Sequence, residues 1–276
     1  MSDFDTIAAQ RPADIEEAIP CMQIALRYFH EHDDYRAIFL RAYYIITLNV
    51  HAAIHRHGDY TKNPIFFDAG WVASQAGWFS SLYFQSLTTF DRDPDSERAW
   101  KLAHGMAVAK TSTVLQDLML GLNAHINYDL AHGTYLNLKQ HNDGADHLLL
   151  PHRKFDHDQV NNILVRSIAQ IAGTLSRDYG GGIQMLRRTL HGLDIILTGT
   201  GLKYYRERVW WSAISYLTTT DDEEVNLVHY KLNWESLQTA KLIADTSIWS
   251  LPVRRVGRAI RKEHFGDIQL ETPAAQ

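Results

Sequence analysis

Apolar residues recur at three- and four-residue steps along most of this chain, and strict two-residue alternation is scarce. That periodicity buries one side of a 3.6-residue helix, so it predicts an all-α fold rather than sheets. Residues 13–31 form a first amphipathic segment, interrupted early by Pro20. Residues 35–56 carry Ile38, Phe39, Ala42, Tyr43, Ile46, Val50 and Ile54 at helical spacing. Asp68 stands where an N-cap belongs, ahead of a helix to about residue 89 that carries Trp71, Trp78, Leu82 and Tyr83. The next helix starts at Asp93-Pro94-Asp95-Ser96 and runs to about residue 120. Residues 133–158 lose the pattern, and Gly133, Gly144, Pro151 and a run of aspartates and histidines predict the longest irregular segment there. Helical spacing resumes from Asp156 to Asp178, breaks at Gly180-Gly181-Gly182, and returns over 183–198, 203–219 and 222–250. Pro252 ends the last of these, before a short basic helix at 253–264 and a loose tail. The expected architecture is a single-domain helical bundle over 1–276, core about 13–251, of roughly nine helices.

One stretch breaks the apolar rule inside an apolar context. Residues 121–133 place His125, Asp129 and His132 at i, i+4 and i+7, one face of an ideal helix, with Asn123 and Asn127 beside them. Leu115, Leu118, Met119, Leu120 and Leu122 just upstream predict that this helix is buried. Buried polar groups are costly unless paired. Two accounts fit: a metal or proton-transfer site, or a hydrogen-bond network that ties helices together. Three ligands from one helix would be unusual, so a metal reading needs donors from elsewhere. His51 and His55 are i, i+4 on the 35–56 segment, and a His51/His55/His125/Asp129 site forms if the two helices meet. Alternatively, His55 and His57 decorate a helix end, where imidazolium suits the dipole.

Composition narrows the function classes. Twenty-seven basic against 32 acidic residues give a net charge of −5, which argues against a general nucleic-acid binder. The single cysteine, Cys21, allows neither an intrachain disulfide nor a cysteine-based zinc site. The acidic N-terminus does not read as a signal peptide, and no apolar run is long enough to predict a membrane span. The chain reads as soluble and cytoplasmic. Fifteen histidines raise the prospect of metal or proton chemistry.

Other candidates have a structural reading beside the chemical one. His191 and Asp194 are an i, i+3 pair in an apolar segment, either ligands or a buried couple. Arg206, ahead of Trp210 and Trp211, can clamp a carboxylate or phosphate, or simply stack on aromatic rings. His141, His147, His152 and His157 suggest a lid or a solvated loop, and Arg254, Arg255, Arg258, Arg261 and Lys262 a partner surface or a solvated face. His-Glu-x-x-His, Glu-x-x-His, Walker A, dinucleotide-glycine and Gly-x-Ser-x-Gly motifs are all absent.

Asn123-Ala124-His125-Ile126-Asn127-Tyr128-Asp129-Leu130 resembles the signature of an uncharacterised family, a domain of unknown function common in actinobacteria and present in other bacteria and fungi. Arg41-Ala42-Tyr43, Phe67-Asp68 before Trp71-Val72, Leu82–Leu87 and Arg206 four residues before Trp210 extend the likeness over about 35–217. The resemblance implies no activity and points only at His125, Asn127 and Asp129. The His-x-x-x-Asp spacing also looks like the ligand pair of all-α zinc phospholipases C and P1-type nucleases, whose N-terminal Trp ligand this chain lacks.

The resulting expectation is an all-α enzyme acting on a hydrophobic small molecule, with a place in secondary metabolism suggested by its aromatic residues. His125, Asp129 and Asn127 would be catalytic, and Arg206, Trp210 and Tyr83 would bind substrate. A divalent metal, zinc or iron, would take His125, Asp129, His132, His51 and His55 as its candidate ligands. Hydrolysis, cyclisation and oxidation are not separable at this level, and no nucleotide cofactor is expected. The rival expectation is a non-catalytic helical domain that binds a ligand or partner around a buried His/Asn/Asp network.

Overall fold

In the computed structural model, residues 3–92, 98–141, 148–181, 199–219, 221–245 and 251–273 are described. The helical pattern appears as α1 (Asp3–Ala8), α2 (Ile15–Glu31), α3 (Arg36–Ile54), α4 (Ala69–Arg92), α5 (Ala99–Val108), α6 (Val114–Ala124), α7 (Leu130–Gln140), α8 (Leu150–Tyr179), α9 (Gly199–Thr218), α10 (Asp222–Ala244) and α11 (Leu251–Ala259). No β-strand occurs among the described residues; one isolated bridge joins Gly180 and Arg261. The fold is all-α. The 183–198 helix, the Asp93–Ser96 start, His147 and the His191/Asp194 pair lie outside the described residues.

α3 is the central element, and Ile38, Leu40, Ala42 and Tyr44 on it are fully buried. By length and apolar content Arg36–Tyr60 would suffice to cross a bilayer, yet 72% of its apolar window is buried inside the protein. A core helix accounts for it. Arg41, in its middle, is fully buried and paired to Asp178 at 3.0 Å and Glu271 at 2.5 Å. A guanidinium in that position is tolerable only with such partners.

Four expectations need correcting. Pro20 does not interrupt α2, which runs from Ile15 to Glu31. Its missing N–H falls in the second turn on a solvent-exposed face, where water can satisfy the freed Glu16 carbonyl. The single helix expected up to residue 120 is two, α5 and α6. Lys110 breaks it at φ 54, and α6 restarts on a reciprocal capping box between Thr113 and Gln116. The expected irregular segment is largely helical, because α7 reaches Gln140 and α8 begins at Leu150 with Pro151 in its first turn, where proline belongs. The tail is not loose. Tyr35 Oη donates to the Lys262 carbonyl at 2.9 Å, Tyr44 Oη to that of Glu271, and Phe265 is buried in the main core.

Two local features set the site's position. Asp68 caps α4 as expected, accepting from Trp71 N at 2.9 Å, while Asp156 of α8 takes the amides of Phe67 and Asp68 at 2.7 and 2.9 Å. On α6, a Cβ at Gly121 would come within 2.3 Å of the Phe39 ring. Only glycine lets α6 lie this close to α3, and His125 follows one turn later against the same α3 aromatics.

Candidate functional site

The motif does not continue as an α-helix. Between α6 and α7, His125–Asp129 form one π turn, with the Leu130 N–H donating to the His125 carbonyl. A π turn inserts one residue, so everything beyond it rotates by about 100° relative to an uninterrupted helix. His125 and Asp129 lie within the turn and still meet: Nδ1 of His125 is 3.2 Å from Asp129 Oδ2. His132 lies beyond it and is carried to another face. Its ring packs 6.0 Å from His229 and 6.2 Å from Tyr216, in a smaller cluster with Leu130 and Val209 nearby. The expected i, i+4, i+7 convergence is therefore not formed.

His125 and Asp129 are both buried, at 3% and 2% exposure. Phe79 stacks face-on to the imidazole at 3.5 Å between centroids, Tyr43 meets it edge-on at 4.3 Å, and Phe39 and Trp100 close the surround. Trp100 Nε1–H donates to Asp129 Oδ2 at 2.8 Å, completing a Trp100–Asp129–His125 chain. Burial pushes Asp129 well above the carboxylate range, only partly offset by the indole, and pushes His125 well below the imidazole range. The pair is thus held uncharged. His125 Nε2 has no partner and is packed over by its neighbours. Asn127 donates to Asn123 Oδ1 at 2.8 Å, and Asn123 to the Ser236 carbonyl of α10 at 2.9 Å. Within the described residues, no further His, Cys, Asp or Glu joins His125 and Asp129 in a three-ligand group.

Beside this pair lies a cavity of about 220 Å³. Its wall is mostly aliphatic and aromatic, from α3 (Phe39, Ile46, Val50), α4 (Val72, Phe79), α6 (Leu115, Leu118, Met119), α8 (Val160, Leu164, Ile168), the first half of α9 and the last turns of α10. His125, Asn123 and Asn127 contribute to it, and so does Arg206. Arg206 is 4% exposed and gives one hydrogen bond, from Nη2 to the His157 carbonyl at 2.7 Å. Among the described residues its Nε has no partner and no carboxylate contacts it; Asp158 acts only through space. Burial lowers its pKa to about 10. Trp210 and Tyr83, expected to bind substrate with it, are buried elsewhere: Trp210 against His157, Tyr83 among Phe39, Phe84 and Trp100. Neither reaches the cavity wall.

His51 and His55 also stay apart from His125. They stand on the last turns of α3, ring centroids 4.3 Å apart, and face Glu16 on α2. His55 Nε2 is 2.8 Å from Glu16 Oε1 and His51 Nε2 is 3.3 Å from Glu16 Oε2. The helix end is fixed by Arg56 at φ 60 and by the His57 N–H donating to the Ala52 carbonyl at 2.8 Å. The single four-residue metal set expected from the sequence therefore falls into two separate places.

Trp100 and Glu16 were not among the expected site residues. Trp100 is 29 positions from Asp129, and Glu16 reads as an ordinary first-turn helix acid, so no local spacing marks either. Of the loop histidines, His157 is fully buried on α8, while His152 stacks on Phe67. The model of DUF5995, a family of unknown function, matches residues 15–246. No curated protein and no solved structure matches the chain.

Proposed function

The chain belongs to the DUF5995 family, and from its cavity we propose that it binds an apolar small molecule bearing one acidic group. The observation that carries this reading is Arg206, a buried guanidinium in the wall of a mostly apolar cavity that no carboxylate among the described residues contacts, Asp158 acting only through space. A buried unpaired cation costs several kcal/mol, and a ligand carboxylate would relieve that cost. A cavity of about 150 Å³ takes benzene, so this one suits a ligand of roughly nine or ten non-hydrogen atoms. Oxygen or nitrogen atoms elsewhere on the ligand would meet Asn123 and Asn127.

The test is calorimetric titration with octanoic acid, 1-octanol and methyl octanoate. The acid should bind at least about tenfold more tightly than the other two, as expected for one charge-assisted hydrogen bond. Arg206→Met should erase the difference while keeping the fold, because an apolar side chain of similar length replaces a buried ion at little cost. Equal affinities in the unmodified protein, or no binding of any of the three, would refute the reading.

A second reading adds proton transfer at His125. The Trp100–Asp129–His125 chain favours it, since a carboxyl at Nδ1 orients an imidazole for acid–base work at Nε2. It requires Phe79 or Tyr43 to move aside, because Nε2 is now packed over.

A further inference from the structure

The Glu16/His51/His55 cluster plays no part in the cavity, since none of the three lines it. We propose that these residues form a binding site for a divalent transition-metal ion, bridging the start of α2 to the end of α3. Each of the three residues offers one ligand atom, an imidazole nitrogen or a carboxylate oxygen, and these three atoms all lie within 4.8 Å of one another. A tetrahedral ion with bonds of about 2.0–2.1 Å holds its ligand atoms roughly 3.4 Å apart. The Glu16 carboxylate already faces both imidazoles, Oε1 at 2.8 Å from His55 Nε2 and Oε2 at 3.3 Å from His51 Nε2, so a small rotation and outward shift that turns one oxygen toward both rings admits the ion.

The donors are placed before any ion arrives. His51 and His55 are one turn apart on a helix whose end is locked by the turn at Arg56 and His57. The Glu16 main chain is fixed by its N–H, which donates to Asp14 Oδ1 at 2.9 Å in the α2 cap, and its carboxylate already meets both imidazoles. Two imidazoles and one carboxylate suit zinc, cobalt, nickel or copper, whereas calcium and magnesium prefer an all-oxygen shell. His55 is partly open and Glu16 more so, which gives the ion a path from solvent and leaves a fourth position for water. The site joins two helices without touching the apolar cavity, so it can stand or fall independently of ligand binding there.

The full-length protein, stripped with a chelator and dialysed, would be titrated with zinc chloride against a chromophoric chelator and then loaded with cobalt(II). The expected results are one zinc ion per chain, a rise in melting temperature with zinc, and visible absorption typical of tetrahedral cobalt. Glu16→Gln and His55→Asn, both at accessible positions, should each weaken zinc binding by at least about tenfold, on the scale of losing one ligand interaction. Their metal-free melting temperatures should match the parent's. A parent that takes up no stoichiometric zinc would overturn the proposal. So would variants that bind zinc as the parent does, because the ion would then sit on other histidines.

Discussion

Two pairs of side chains at the same four-residue spacing, His125/Asp129 and His51/His55, have opposite surroundings in this protein. His125 finds its acid, Asp129, on its own helix, and the pair is enclosed by Phe39, Tyr43, Phe79 and Trp100. His51 and His55 find theirs, Glu16, on another helix, at a margin that solvent reaches. The first arrangement suppresses charge, since burial drives both members toward their neutral forms. The second keeps a carboxylate: the two histidines hold Glu16 below its ordinary range even though desolvation pulls the other way. Spacing brings groups together, but the neighbouring helices decide whether they become a sealed hydrogen-bond chain or a set of open donors.

The largest expected effect breaks the sealed pair. Asp129→Ala strands the Trp100 indole N–H and the His125 Nδ1 in dry surroundings, at about 1–3 kcal/mol each. Chemical denaturation should show a loss of about 2–5 kcal/mol, the cavity contributing too. Asp129→Asn retains a neutral oxygen acceptor and should lose less than half as much. Equal losses for Ala and Asn would show that the charge of the carboxylate matters, contrary to an uncharged pair.

A smaller effect concerns pH. His125, His104 and His157 have folded-state pKa values pushed well below 6.5 by burial, and that of His30 falls to about 4. Stability held by neutral imidazoles is fully present above the unfolded value of about 6.5 and is lost as pH falls toward the folded values, because the unfolded chain takes up protons first. Each group contributes a slope of up to about 1.4 kcal/mol per pH unit. Denaturation of His125→Gln between pH 6.5 and 4.5 should show a slope smaller by about one proton. An unchanged slope would mean that His125 titrates in the folded protein, as a water-accessible catalytic base would.

The smallest effect sharpens the boundary of the site. His132→Asn should cost under about 1 kcal/mol, as for a partly buried side chain outside any strong network. It should also leave octanoate affinity unchanged. A clear loss of affinity would return His132 to the site from which the π turn removes it.

Much of the scaffold was legible because helix periodicity is a local property. The extents of α2, α3 and α4, the Asp68 cap and the buried character of α6 all follow from residues close together in sequence. The errors also have local causes. Gly133 and Pro151 suggest breaks by residue type alone, yet Gly133 is tolerated inside α7, and Pro151 opens α8. At the site, the His125–Asp129 contact was readable from its four-residue step. The π turn was not, because no residue type in it demands an extra residue per turn. Trp100 and Glu16 join through contacts 29 and 35 or more positions long, which a sequence pattern does not encode.

The sequence alone determined a helical chain with a polar motif in an apolar helix, since helix spacing and the cost of burying polar groups act within a few residues. Only the tertiary structure decided that His132 turns away, that Arg206 lines an apolar cavity with no described carboxylate in contact, and that His51 and His55 belong with Glu16. Those outcomes depend on which helix faces pack together and how dry each contact becomes, quantities set by the whole assembly of helices at once.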